Sequence, residues 1–471
     1  MRLGMNSSEF SWLEGVGKFP SEWKIMKIKE IGKVVTGSTP PTKDKEFYGN
    51  EFPFITAKDF KGHRYIEDTE KKLSRKGAEY LKSKQIPLHS VMVTCIGSEM
   101  GKVALTKAKI SFTNQQINTI IPDEKVVNPL FLYYRLYPLG KWIKSLGSGR
   151  GSAKPILPKS SFEDIEIPIP PLPEQKKIAE VLGSLDDKIE LNYEMNKTLE
   201  AIAQVIFKYW FIDFGPFQDD LIYNEELGKE IPKGWEVKPL RGFIDLKKGV
   251  SYKSENLITE SDIGLVNLKC IRRGGGFKDE IKPYNGEFKR EHVLQEGDIV
   301  IAITDLTRKG DVIGAPARIY QIERFKTLIA SLDLVIVKIK NQKSLKPAFL
   351  YHLLLTHNAR AYMKGYADGT TVLHLKPRDI LDYQFVLPPS EYMNKFAEMA
   401  ESIFQLTAVN FKEAHILEQI RDALLPKLLS GEIRVKVDIE EEFPRETKKL
   451  IEIKKEKARI RKTLLDYFEG A

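Results

Sequence analysis

Cysteine is almost absent. Cys95 and Cys270 are the two in 471 residues, too few for a disulfide framework. Each lies inside an apolar run, VMVTCIG or LVNLKCI, so burial in a reducing cytoplasm is expected for both. Long hydrophobic runs are absent too. No stretch of about 20 apolar residues exists to span a membrane as a helix, and MRLGMNSSEFSWLEG at the start lacks the apolar segment of a secretory signal. The seven histidines (His63, His89, His292, His352, His357, His374 and His415) fall at no metal-ligand spacing with cysteine or with each other, so no metal site is expected.

Catalytic motifs are equally scarce. GSEMGKV at residues 97–103 has one residue too few between its glycines for a phosphate loop, and Val103 stands where Ser or Thr is required. Asn128-Pro129-Leu130-Phe131 is similar to the Asn-Pro-Pro-aromatic motif of adenine methyltransferases but lacks the second proline, and its repeat partner Lys346-Pro347-Ala348-Phe349 lacks the asparagine as well. Helix initiation accounts for both. Glu280-Ile281-Lys282, with Asp262 or Asp279 upstream, has the form of a nuclease triplet but has no counterpart in the other half and reads as surface charge.

What is present is a duplication. Residues 20–37 (PSEWKIMKIKEIGKVVTG) align without a gap on residues 232–249 (PKGWEVKPLRGFIDLKKG), placing Trp23 on Trp235 and Gly37 on Gly249. A second register, offset by 218, puts Pro129, Phe131, Leu132, Tyr133 and Leu136 on Pro347, Phe349, Leu350, Tyr351 and Leu354, then Gly151, Leu157, Asp164 and Pro170 on Gly369, Leu375, Asp382 and Pro388. A period above 200 means two whole domains rather than a solenoid of short repeats. Runs such as SVMVTCI, DIVIAI and LDLVIVKI are β-branched and apolar, so each domain is expected to be mixed α/β with much strand. Hydrophobic content of 42% supplies real cores.

Between and after the domains lie helical stretches. Ile178, Leu182, Leu185, Ile189, Asn192, Asn196, Leu199, Ala203, Ile206 and Trp210 alternate steps of four and three; so do Phe396, Ala400, Ile403, Thr407, Asn410, Ala414, Leu417, Arg421, Leu424 and Leu428. That is a coiled-coil seam of about four heptads in each half, with Asn192 and Asn410 at equivalent polar positions. The expected architecture is α+β: recognition-type domains at residues 18–172 and 213–390, spacer helices at 173–212 and 391–430, and a tail at 431–471. Antiparallel pairing of the helices would relate the domains by a pseudo-two-fold axis. The tail carries a helix candidate at residues 447–468 with Leu450, Ile453, Lys457, Ile460, Leu464 and Tyr467 along one side, expected to pack within the chain.

Net charge is +9, and its distribution decides more than its size. Residues 18–172 carry 26 Lys/Arg against 16 Asp/Glu, and residues 213–390 carry 27 against 24. The helices at 173–212 and 391–430 carry 5 against 7 and 4 against 6. The positive excess lies on the repeated domains, which fits a polyanion held there.

These features together resemble the DNA-specificity subunit of Type I restriction–modification enzymes. The likeness is carried by PPLPEQKKIAEVLGSLDDKIELN (170–192), KYWFIDF (208–214), LLPKLLSGEI (424–433) and TNQQIN (113–118). It implies two target-recognition domains that read the halves of a split site in double-stranded DNA, held apart by antiparallel helices. It also implies a cytoplasmic subunit that is no enzyme itself and holds no cofactor. Two methyltransferase subunits would supply S-adenosylmethionine chemistry, and restriction/translocase subunits would use ATP and Mg. The second copy departs from the pattern, because PPSEYMNKFAEM lacks the PEQ phrase.

Candidate DNA contacts follow from residue type. Arg, Lys, Asn and Gln can read base edges, while Lys, Arg, hydroxyls and glycine-exposed N–H groups hold phosphates. In the first domain the candidates are Lys58, Lys61, His63, Arg64 and Tyr65, then Asn114, Gln115 and Gln116, then Arg150 and Ser152 in GSGRGS. The NQQ side chains have an alternative role in satisfying backbone groups. In the second domain the candidates are Arg272 and Arg273 ahead of Gly274, Gly275 and Gly276, then Thr304, Thr307, Arg308 and Lys309, then Thr370 and Thr371 beside Gly369. Two other classes stay open: a fused restriction or methyltransferase enzyme, and a coiled-coil protein scaffold without DNA binding.

Overall fold

The structure, a computed structural model, describes residues 10–147, 155–307, 309–370, 372–434 and 442–469. The chain divides into two compact units. One joins the residues up to Lys188 to Leu417–Thr447; the other joins Ile189–Ile416 to the residues from Lys448 onward. The division falls inside both long helices, so each unit owns a mixed domain and a segment of each helix.

In the first unit one sheet is ordered Gly32–Thr36, Ile117–Pro122, Val91–Thr94, Val103–Thr106, Tyr65–Ile66. A second is ordered Tyr48–Gly49, Lys72–Leu73, Phe52–Ile55, Ile110–Thr113, Ile86–Pro87, with Phe52–Ile55 parallel to Ile110–Thr113. The second unit repeats both orders with four strands in each sheet in place of five. Ile244–Lys248, Leu334–Ile339, Ile299–Ala302 and Pro316–Arg318 follow the first. Lys282–Pro283, Ile263–Val266, Thr327–Ala330 and Val293–Leu294 follow the second, again with one parallel pair, Ile263–Val266 with Thr327–Ala330. Val91–Thr94 and Ile299–Ala302 are buried along their whole length, which is why those runs are continuously apolar rather than alternating. The matched glycines occupy matched contacts: a Cβ on Gly37 would stand 2.2 Å from the Thr113 carbonyl oxygen, and one on Gly249 would stand 2.2 Å from that of Ser331. Trp23 and Trp235 are both buried. The duplication read in the sequence is a duplication of topology.

The long helices are Leu172–Phe211 and Ser390–Leu429, each of 40 residues, about 60 Å at 1.5 Å per residue. Within the first unit their segments run in opposite directions. Arg421 Nη1 meets Asp186 Oδ1 at 2.7 Å, and Arg434, beyond the end of the second helix, meets Glu174 in the first turn of the first at 2.8 Å. Arg135 Nη1 donates to the carbonyl of Leu429 at 3.0 Å, satisfying one of the acceptors that a helix C-terminus leaves open. The second unit shows the same opposition. Asn410 Nδ2 donates to Asn196 Oδ1 at 2.7 Å, and Asn196 Nδ2 donates to the Thr407 carbonyl at 3.1 Å.

The seam is largely where the spacing puts it. Ile178, Leu182, Leu185, Ile189, Asn192, Ile403, Asn410, Leu417 and Leu424 are buried. Two positions near the end of the first helix need correction. Leu199 and Ile206 are half-buried, and the deeply buried residues there are Ala203, Phe207 and Phe211, in steps of four. The reason is local: Phe207 and Phe211 pack with Phe349 and Phe396 at centroid distances of 5.1–5.5 Å, so the helix turns its aromatic side into the second domain's core. The second helix is also buried on more than its seam side, because Phe404 and Ala408 join that same domain's main hydrophobic cluster. Asn192 does not mirror Asn410 either. It accepts from Lys457 of a third helix.

That helix, Pro444–Glu469, covers the pair in the second unit through Ile453, Lys457, Ile460 and Leu464, all buried. Lys457 Nζ donates to Asn192 Oδ1 at 2.9 Å and pairs with the Glu413 carboxylate. Their side chains are 7% and 11% exposed, so removing one partner strands the other charge away from water. Lys457→Ala is expected to destabilise the second unit by about 3 kcal/mol in denaturant unfolding, and a Lys457→Met/Glu413→Leu pair to recover most of that loss. An unchanged unfolding midpoint for Lys457→Ala would contradict docking of this helix.

Candidate nucleic-acid interface

In the second domain three separately chosen patches meet at one loop. Its organiser is Asp305, buried to 1% exposure. Its carboxylate accepts from Thr307 N (2.6 Å), Val312 N (2.6 Å) and Ile313 N (2.9 Å), folding residues 305–313 around it. Burial opposes the charge, but those donors more than offset it and hold the carboxyl below its ordinary range. Thr304 and Asp305 pair as a short strand with Leu373 and His374, which brings Thr370 alongside. Gly274 N donates to the Asp311 carbonyl at 3.0 Å, and Arg273 Nε lies 3.9 Å from the Asp311 carboxylate. Arg273, Lys309 and Thr370 are exposed on this loop cluster and Thr307 is half-buried, whereas Thr304 is buried at 8% exposure. Arg308 and Thr371 lie outside the described residues. Asp305 was not singled out in the sequence; the signal available was an acidic residue directly after a buried β-run and ahead of a Gly-rich, Lys/Arg-bearing loop.

Two of the candidate groups there have protein partners. The Gly274–Gly276 backbone is not open to a phosphate: its N–H groups donate to Asp311, Arg272 and Pro316 carbonyls at 2.8–3.0 Å. Arg272 is taken by the first long helix, with Nη1 and Nη2 on the two Glu200 carboxylate oxygens at 2.7 and 3.1 Å and Nε on the Phe277 carbonyl at 2.8 Å. Burial works against its charge, but Glu200 more than compensates and moves its pKa upward.

Arg64 has the same fate in the first domain. It is 4% exposed and pairs with Asp187 of the long helix, while Nη1 lies 3.4 Å from the Gly183 carbonyl. Each domain is thus tied to the first helix by one arginine; Arg64 is buried, and Arg272 keeps about a third of its side chain exposed (34%). Tyr65 is half-buried in the edge strand beside Arg64. Asn114, Gln115 and Gln116 form the turn between two strands. Asn114 Nδ2 donates to Gln116 Oε1 (3.0 Å), Gln116 N donates to Asn114 Oδ1 (3.1 Å), and Thr39 Oγ1 donates to Gln115 Oε1 (2.7 Å). Their role in holding the turn accounts for Asn114 and Gln116; Gln115 is exposed. Lys58, Lys61 and His63 are exposed. Arg150 and Ser152 lie outside the described residues.

Gln175 of the PEQ phrase is buried at 1% exposure. Its Nε2 donates to the Val126 and Pro170 carbonyls at 3.0 and 2.9 Å, and its Oε1 accepts from Asn128 N at 2.8 Å. The phrase therefore clamps the start of the long helix to its own domain. The aligned Met393 is buried as well and replaces the clamp by apolar packing.

Among the described residues no group of three His, Cys, Asp or Glu is placed to hold a metal ion, and no helix is long and apolar enough to cross a membrane. Burial pushes both cysteine thiols up to about 12, away from nucleophilic use.

The family described as Type I restriction modification DNA specificity domain matches the chain twice, over residues 20–201 and 232–421. The Type I restriction enzyme MjaIX specificity subunit of Methanocaldococcus jannaschii is 34% identical over 434 residues, covering 89% of this chain and 95% of that one. The HindI specificity subunit of Haemophilus influenzae is 38% identical over 194 residues, 40% of each chain. The crystal structure of a Type I restriction–modification S subunit from M. genitalium shares the fold at 19% identity, with a TM-score of 0.51 over 86% of this chain and 96% of that one. With the specificity domain matched in both halves and the same topology built twice, the chain belongs to the Type I restriction–modification DNA specificity family, and target recognition on DNA is its role.

Proposed function

We propose that each domain reads one half of a split site in double-stranded DNA, and that the paired long helices set the gap between the halves. The observation that carries this reading is the repetition of one fold on helix segments that run in opposite directions within each unit. A non-catalytic role is supported by the burial of both thiols and by the structural uses found for the methyltransferase-like and phosphate-loop-like segments. Chemistry would then belong to partners: two methyltransferase subunits binding S-adenosylmethionine, and restriction subunits consuming ATP with Mg. This chain would hold none of these cofactors, and a cytoplasmic setting follows from its substrate.

Affinity from phosphate contacts is salt-dependent, because each neutralised phosphate releases counterions. A chain touching about six phosphates gives a slope of about −5 in log K against log salt. Duplex binding by the purified chain is expected to show such a slope, without methylation or cleavage. A flat dependence would favour a protein scaffold, and modification by the chain alone would favour a fused enzyme.

The arginine ties yield a separate expectation. Because Arg64 and Arg272 hold helix carboxylates, Arg64→Ala and Arg272→Ala are expected to weaken specific binding while leaving the salt slope unchanged. A slope shallower by about one unit in either variant would place that guanidinium on a phosphate instead.

A further inference from the structure

The first domain carries a cleft of about 720 Å³ between the turn at residues 60–63, the turn at 97–102 and the helix Gly140–Gly147. It is lined by the basic residues Lys61, His63, Lys102, Lys141 and Lys144, by the exposed Tyr137 and Pro138, and by the buried apolar Phe60, Met100 and Val103. Two glycines make the cleft possible. A Cβ on Gly101 would stand 2.0 Å from the Gly140 carbonyl oxygen, and one on Gly140 would stand 2.3 Å from that of Gly101, so the 97–102 turn can lie directly against the helix start. This is the use of the GSEMGKV segment, which is not a nucleotide loop.

The cations are not all spent on the protein. Lys102 pairs with Glu99 and donates to the Phe60 carbonyl at 2.9 Å, which cancels the carboxylate there. Lys144 Nζ is steadied by the Ser98 carbonyl at 2.8 Å. Lys61 and Lys141 are exposed and form no ion pair among the described residues. The second domain has filled the corresponding place. In the 218 offset Lys141 and Lys144 fall on Ala359 and Tyr362. There Arg360 binds the carbonyls of Ile313 and Asp311, the latter at 3.0 Å, and Lys364 Nζ holds the Lys309 carbonyl at 2.6 Å. The longer loop at 305–314 thus lies over the helix His357–Gly365, and its cations are consumed in holding it.

A cleft lined by ammonium groups and by an exposed tyrosine and proline complements a sugar-phosphate unit: the ammonium groups take the phosphate, and the ring and proline take the sugar. We propose that this cleft seats a backbone sugar-phosphate of the bound duplex through Lys61 and Lys141, a phosphate anchor at a place that the second domain fills with its own loop. The proposal rests on the DNA reading above and adds an asymmetry to it: the two half-sites are gripped from different places on the repeated fold.

The test is the salt slope of the full-length chain on a mixed-sequence duplex, read by fluorescence anisotropy across a KCl series. Lys61→Ala/Lys141→Ala is expected to make the slope shallower by about 1 unit, since the one phosphate seated in the cleft contributes about 0.9. Lys61→Arg/Lys141→Arg is expected to keep the wild-type slope, and thermal melts of both variants to match the wild type because both side chains are exposed. Wild-type binding with an unchanged slope in the alanine pair overturns the cleft assignment alone. A wild-type chain that binds no duplex overturns the DNA reading and this proposal with it. Calorimetry with pyrophosphate distinguishes the source of the phosphate: pyrophosphate binding lost in the alanine pair while its duplex slope stays wild-type identifies a small-anion site and overturns the DNA assignment.

Discussion

The structure depends on a buried amide contact between two long helices. Asn410 meets Asn196 where an apolar pair would be more stabilising, and Asn196 closes on the Thr407 backbone. A slip of the helices by a turn would leave both amides buried without partners, costing about 1–3 kcal/mol for each unsatisfied group. Stability is given up for a defined register. The third helix adds to the same constraint, since Lys457 reaches Asn192 and Glu413 together and can do so in a single alignment of the three helices. A subunit whose proposed output is a fixed gap in base pairs needs register more than it needs extra stability.

The domains are joined to this frame by polar ties as well as by packing. Arg64 on Asp187 and Arg272 on Glu200 are each side chains of a recognition domain committed to the first helix. Gln175 and Arg135 add contacts at the helix ends in the first unit, whereas the second unit uses an aromatic cluster built on Phe207, Phe211 and Phe396. One fold is attached in two chemically different ways, and the loops facing outward diverge further. Asp305 organises a long loop in the second domain, while paired glycines open a cleft in the first. Duplicated scaffolds with divergent loops suit a site whose two halves differ in sequence.

Much of this was legible in the chain. The offsets of 212 and 218 foretold two copies of one topology, and the spacing of Ile178, Leu182, Leu185 and Ile189 foretold the seam. The tail face through Ile453, Lys457, Ile460 and Leu464 was also readable, because helical periodicity survives whatever the partner is. The contact residues were less legible. Residue type alone cannot separate an arginine that meets DNA from one that meets a glutamate 72 positions away, as with Arg272 and Glu200. Glycine runs suggested open N–H groups, but Gly274–Gly276 spend theirs on nearby carbonyls. Lys141 and Lys144 escaped notice since a short helix with two lysines one turn apart has the pattern of any solvated face.

The central claim is that each half of the chain reads its own half of a split DNA sequence across a gap fixed by the helices. The most direct measurement is methylome sequencing of cells that express the chain with its methyltransferase partner, before and after residues 213–390 are exchanged for those of a relative. The account predicts a two-part motif in which one part changes while the other part and the gap stay as they were. A continuous motif, or a change in both parts on exchange of the one domain, would contradict it.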